Sequence, residues 1–261
     1  GTDVSFSVID TATAPEIAIN AFERAVDASD VVSVIAPMLG TQMLALLPLA
    51  DEFGIPLITV SGTAKITELG SPNVYRFFPG HAVVKAAQTR YAVEELGASR
   101  PAIISQTTAY GQSGRAALEA NLKRIGTPPV FQESMDVSVK DMLPVLLKVR
   151  DSGADALLLQ LHSGPTALVI RHAKALGLDI PIIAGSAMHQ PETAALLEPA
   201  ELRGVCAESG SSPVSETSEE MQAFVDAYRR SFDREPDAFA LGQYDGAQMI
   251  LAAIAAGAQT A

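Results

Sequence analysis

The chain has 261 residues, of which 48% are apolar and only 18% charged, enough apolar material for one large core or two smaller ones. That composition excludes a disordered chain, and its longest apolar stretches, such as Ala154 to Leu161 and Ala252 to Ala256, are too short to cross a bilayer. Eighteen Lys and Arg against 30 Asp and Glu leave a net charge of −12 with no basic run, which argues against nucleic acid as a partner.

Apolar runs rich in β-branched residues alternate with amphipathic helical patterns from one end to the other, the signature of an α/β chain. Val4 to Ile9 predicts a strand. Thr13-x-x-Glu16, with Pro15 in the first turn, predicts a capping box ahead of a helix carrying Ile19, Phe22 and Val26. Strands then follow at Val31 to Ala36 and Pro56 to Val60, with a helix from Thr41 to Phe53 between them. A helix from about Gly80 to Leu96 leads to strands at Pro101 to Ser105, Val130 to Met135 and Ala154 to Leu161. Helices at Tyr110 to Ile125 and Lys140 to Asp151 separate these three. Late in the chain, Thr217-x-x-Glu220 predicts the cap of a helix whose Met221, Phe224, Tyr228 and Phe232 form one apolar stripe.

One internal echo stands out. Thr41, Ala50, Ile55, Pro56, Ile58 and Ser61 recur without a gap as Thr166, Ala175, Ile180, Pro181, Ile183 and Ser186. Each copy reads as a helix, an Ile-Pro-aliphatic strand and a Ser/Gly turn. The echo is consistent either with two similar lobes built on parallel sheets or with convergence, since α/β chains reuse Gly, Pro and aliphatics.

Open parallel sheets place ligands beyond the carboxyl ends of their strands, where loops enter helix N-termini. The loops so designated are Pro37 to Thr41 and Ser61-Gly62-Thr63 in the first half. In the second half they are Gln106 to Gly111, His162-Ser163-Gly164 and Gly185 to Met188. Hydroxyls and small residues dominate these turns, which suits a carboxylate held by backbone N–H groups; taken singly, each hydroxyl also reads as a helix cap.

Common catalytic signatures are missing: no G-x-G-x-x-G, Walker-type, G-x-S-x-G or H-E-x-x-H pattern occurs. Gly111-Gln112-Ser113-Gly114 lacks the spacing of a nucleophile elbow. The histidines are His81, His162, His172 and His189, and His189 with Glu192 gives only two candidate ligands, short of a metal site. Cys206 is the sole cysteine, so the chain forms no internal disulfide. No catalytic residue, metal or cofactor is expected.

Several phrases together resemble the branched-chain amino acid family of extracytoplasmic solute-binding proteins. They are Gly54-Ile55-Pro56-Leu57-Ile58, Val74-Tyr75-Arg76-Phe77-Phe78-Pro79, Ala109-Tyr110-Gly111, Arg171-His172-Ala173-Lys174-Ala175-Leu176-Gly177-Leu178, Gly204-Val205, Glu235-Pro236 and Tyr244-Asp245. The resemblance implies a type I periplasmic-binding fold, with two hinged α/β lobes closing on a small ligand delivered to an ABC permease. By position it puts residues 1–78 and 211–261 in the first lobe and 79–210 in the second, with crossovers near Phe78-Pro79-Gly80 and Glu208-Ser209-Gly210. It further implies an extracytoplasmic location and, at both ends, segments beyond those present here.

The resemblance also implies the site. Leu39, Gly40, Thr41, Ser61, Gly62 and Thr63 would hold the ligand carboxylate; Tyr110, His162, Ser163, Ala187 and Met188 would come from the other lobe. Gly40 replaces the serine of many relatives. Ala187 falls where amino-acid-binding relatives carry the acid that pairs with the ligand ammonium. Losing that partner costs roughly several kcal/mol. A small acid with an apolar or aromatic body is therefore the expected ligand, with a branched-chain amino acid second. A ligand-sensing domain of a receptor is the alternative reading, and an α/β hydrolase using Ser113 or His162 a more distant one.

Overall fold

In a computed structural model, residues 3–28, 31–213, 215 and 218–258 are described. They form two compact units, one of Gly1–Gly80 with Phe239–Ala261 and one of His81–Ala238.

The first unit contains α1 (Pro15–Ala28), β1 (Val34–Ile35), α2 (Gly40–Phe53), β2 (Leu57–Thr59), α3 (Lys65–Glu68) and β3 (Val74–Arg76). Its three strands are parallel in the order β1-β2-β3, with Ile58 of β2 beside Ile35 and Tyr75. The core packs Ala18 and Phe22 of α1 against Met43, Leu46, Leu47 and Ala50 of α2 and Leu57 of β2. Gly54 ends α2 in the left-handed region at φ 65°, where glycine carries no Cβ penalty. The last helix, α10 (Ala238–Ala255), lies directly on the same strand. Side chains at Gly242 and Gly246 would run into Val60 and Ile58, so two glycines one turn apart set that close approach.

The second unit opens with α4 (His81–Arg90), which continues as a π-helical turn over Tyr91–Glu95. Then come β4 (Pro101–Gln106), α5 (Ala109–Arg124), β5 (Phe131–Met135), α6 (Leu143–Asp151), β6 (Ala156–Gln160), α7 (Ser163–Ala175) and β7 (Ile182–Ala184). A 3₁₀ turn at Ser186–His189, α8 (Pro191–Ala194), β8 (Val205–Ala207) and α9 (Glu219–Phe232) complete the second unit, and α10 belongs to the first. The sheet is wholly parallel, in the order β5-β4-β6-β7-β8. One face packs on Val145, Leu146 and Val149 of α6 and Val169, Ile170 and Ala173 of α7; the other packs on Ala92, Leu118 and Leu122. Its central strands are buried on both faces, so they read as continuous apolar runs and not as alternation.

The internal echo has a structural counterpart. Thr41, Ala50 and Ile58 lie in α2 and β2, and Thr166, Ala175 and Ile183 in α7 and β7, each pair part of a helix running into a parallel strand.

Two expectations are corrected. Val4 to Ile9 is not a strand: the segment is irregular and exposed, with Val8 95% accessible, and β-branched residues form strands only where a partner and a packing face exist. Thr13 does not cap α1. Ala12 and Thr13 have φ of 48° and 59°, and the helix starts two residues later at Pro15. Gln42 of α2 fixes this turn instead, its Nε2 donating to Thr11 Oγ1 at 2.8 Å and to the Ala14 carbonyl at 3.2 Å. Thr217 lies outside the described residues; the cap of α9 is Ser218, whose hydroxyl accepts from the Met221 N–H at 3.3 Å. Within the second compact unit, His81–Ala238, Arg234 reaches Glu192 at 2.8 Å.

Candidate functional site

Each unit gathers polar residues at the carboxyl ends of its strands. In the first unit, β2 ends at Thr59 and runs into Ser61-Gly62-Thr63, while α2 begins at Gly40 after Leu39. The two loops meet: a Cβ on Gly40 would collide with the Thr63 side chain. Glycine at this position is thus the consequence of Thr63, which fills the space a serine side chain would need. The Ser61 N–H donates to Thr59 Oγ1 at 3.1 Å, and Arg76 Nη1 donates to the Thr63 carbonyl at 3.2 Å, so both ends of the loop are pinned. Ser61 and Thr63 are 2% and 1% exposed, and among the described residues neither hydroxyl has a hydrogen-bond partner. Leu39 is half-buried, Gly40 and Gly62 are buried, and Thr41 is exposed.

In the second unit, β4, β6, β7 and β8 end at Gln106, Gln160, Ala184 and Ala207, and the polar residues cluster there or just beyond. Thr108 caps α5 by accepting from the Gly111 N–H, which sets Tyr110 in the first turn. The Tyr110 ring stacks on His162 with centroids 4.8 Å apart and planes at 24°, and meets His81 edge-on at 5.2 Å. Tyr110 Oη lies 3.3 Å from Ser186 Oγ. Burial first, and the negative charge of Glu208 second, push the Tyr110 hydroxyl well above its ordinary pKa, so it remains a neutral donor. Burial lowers the pKa of His162, which favours the neutral imidazole in this stack. The His162 N–H donates to Gln106 Oε1 at 2.6 Å, and Ser163 Oγ donates to Gln190 Oε1 at 2.7 Å. Ala187 is buried and its carbonyl accepts from Thr193 Oγ1 at 2.7 Å, while Met188 is half-buried.

Glu208, expected only at a crossover, is held by buried partners. Lys85 Nζ donates to Glu208 Oε1 at 2.5 Å and to Gln88 Oε1 at 3.0 Å, with both charged side chains almost wholly buried. The Ser186 N–H donates to the same Glu208 oxygen at 3.1 Å, so an acid is held next to Ala187 after all. Burial pulls the Lys85 ammonium below its ordinary pKa, and Glu208 opposes that shift. Gln88 Nε2 ties the group to the sheet through the Ile183 carbonyl at 2.8 Å. The available signal was a polar residue closing an apolar strand, as in Ala156-Leu157-Leu158-Leu159-Gln160, and Lys85 and Gln88 spaced three apart on one helix face. Of the neighbouring acids, Glu192 is paired with Arg234, and Asp245 is on an exposed position of α10.

Ser113 lies in the second turn of α5, its Oγ 2.9 Å from His81 Nδ1. His81 Nε2 faces Gln160 Nε2 at 3.4 Å, so an amide lies beside its second nitrogen.

The whole chain, residues 1–261, matches the family described as periplasmic binding protein. An amino acid binding protein from Pseudomonas aeruginosa is 26% identical over 97% of this chain and 67% of its own length. The chain thus spans about two thirds of the length of curated relatives it matches. Among solved structures, the branched-chain amino acid transporter substrate binding protein LivJ from Streptococcus pneumoniae, in complex with isoleucine, superposes with a TM-score of 0.89. It is 22% identical, over 97% of this chain and 72% of that one. A solute binding protein from R. palustris in complex with benzoate gives 0.85 at 20% identity, over 95% and 68%. The folds agree with the α/β, type I periplasmic-binding architecture, two parallel sheets flanked by helices. The chain belongs to the periplasmic binding protein family and is similar to its branched-chain amino acid members.

Proposed function

We propose that the chain is the non-catalytic, extracytoplasmic solute-binding component of an ABC importer, and that hinge closure of its two units captures a small carboxylate for a membrane permease. The observation that carries this reading is the pair of buried hydroxyls at the carboxyl end of β2, Ser61 Oγ and Thr63 Oγ1, which have no hydrogen-bond partner among the described residues. Leaving a buried hydroxyl unsatisfied costs about 1–3 kcal/mol, so two in one loop are the mark of a site whose acceptor is a ligand. Gly40, Thr41 and Gly62 complete the anion-binding loops, with Leu39 beside them. In the second unit, the stacked Tyr110 and His162, with Ser163, Ala187 and Met188, form the surface for the ligand body.

The body is an apolar or aromatic acid, or a branched-chain amino acid; relatives of the same fold hold isoleucine in one case and benzoate in another. The test is the shift in Tm across small aliphatic acids, aromatic acids, amino acids and the matching amides. Carboxylates raise Tm and amides of the same shape do not. Equal shifts by acids and amides, or no shift by any acid, would refute carboxylate capture.

A further inference from the structure

Two buried acceptors in the second unit have no partner among the described residues: Gln160 Oε1 and Glu208 Oε2. They converge on one turn. A Cβ placed on Gly185 would come within 3.2 Å of Gln160 Oε1 and 2.8 Å of Tyr110 Oη, and the next residue, Ser186, donates its N–H to Glu208 Oε1. Each sits at the carboxyl end of its strand, Gln160 as the last residue of β6 and Glu208 directly after β8. The orientation of Gln160 is fixed, because its Nε2 donates to the Tyr110 carbonyl at 3.1 Å and lies 3.4 Å from His81 Nε2. Glycine at 185 lets this turn pack against Tyr110 Oη and Gln160 Oε1.

We infer that Gln160 Oε1 and Glu208 Oε2 form an acceptor subsite for a neutral O–H or N–H donor on the ligand, so that the solute is a hydroxylated acid and not an unsubstituted one. This rests on the reading of the chain as a carboxylate-binding protein. Both atoms accept and neither can donate, so an apolar ligand body would leave them unsatisfied, and a ligand hydroxyl pairs with them at no cost in charge. A neutral donor is favoured over an ammonium by Lys85: the Glu208 charge is already balanced at 2.5 Å, and a second cation on that carboxylate would face Lys85 in a dry environment. The lost acid at Ala187 and the acid at Glu208 are therefore not equivalent, because only the second comes with its own counter-ion.

Calorimetric titration of the full chain with matched ligands tests this: benzoate against 3- and 4-hydroxybenzoate, and 4-methylpentanoate against 2-hydroxy-4-methylpentanoate and leucine. At least one hydroxylated acid should bind roughly tenfold to a hundredfold tighter than its parent. Glu208→Gln should lower the affinity of that acid more than the affinity of the parent. Gln160→Met, which keeps the Lys85–Glu208 pair, should do the same if the first variant does not fold. Parents binding as tightly as their hydroxylated partners would overturn the inference while leaving carboxylate capture intact. Leucine binding tighter than its hydroxy analogue would overturn the neutral donor. No binding by any of these acids would remove carboxylate capture itself, and this subsite with it.

Discussion

Gly40 is the clearest case of one side chain dictating its neighbour. A methyl group there would overlap Thr63 Oγ1, so Gly40→Ala should destabilise the protein by about 1–3 kcal/mol in urea unfolding. Adding Thr63→Ala should recover most of that loss, a non-additivity that simple helix propensity would not produce. His162 makes a different demand. Its pKa is lowered by burial against Tyr110, so the folded state binds fewer protons than the unfolded state in the window below the ordinary value of 6.5. Its contribution is therefore complete above about pH 6.5 and falls away as pH drops through that window toward the lowered folded value. An NMR titration should put the His162 midpoint below 6.5, and His162→Phe should flatten the acid limb of the stability profile. A midpoint above 6.5 would contradict the stacked, neutral ring.

The Lys85–Glu208 pair joins α4 to the end of β8, and its cost is set by burial. Lys85→Met strands a carboxylate, and loss of one partner of a buried pair costs about 3–5 kcal/mol. The double replacement with Glu208→Leu should return most of the stability, because an apolar pair of similar volume removes both desolvation penalties. Urea midpoints of the single and double variants check this. Elements of this kind also mark where sequence reasoning reaches and stops. The buried strands of the second unit and helices α2, α5, α6 and α7 are legible because periodicity and length agree with their burial. The segment Val4 to Ile9 is misread because apolar alternation says nothing about whether a neighbouring strand is there to pair with. The turn before α1 is misread because Gln42, 28 residues away in sequence from Ala14, decides it. The loops Gly40–Thr41 and Ser61–Thr63 are legible as strand-end turns, whereas Lys85 meets Glu208, and Gln160 meets Tyr110, only through the tertiary fold, leaving no local pattern.

Taken together, the acidic chain carries two units of the same kind, each a parallel sheet whose carboxyl-end loops are rich in hydroxyls, amides and small residues. That arrangement recurs in the echo between α2–β2 and α7–β7, yet the two copies are dressed differently: the first ends in bare hydroxyls suited to an anion, the second in an aromatic stack and buried acceptors. The proposed division of labour rests above all on Ser61 and Thr63. Isothermal titration of the full chain and of a Ser61→Ala, Thr63→Val double variant with the acid that gives the largest Tm shift tests it most directly. The account predicts stoichiometric binding to the unaltered chain and a loss of affinity of roughly a hundredfold in the variant, as two hydrogen bonds to a charged group are removed. An affinity unchanged in the variant would contradict it.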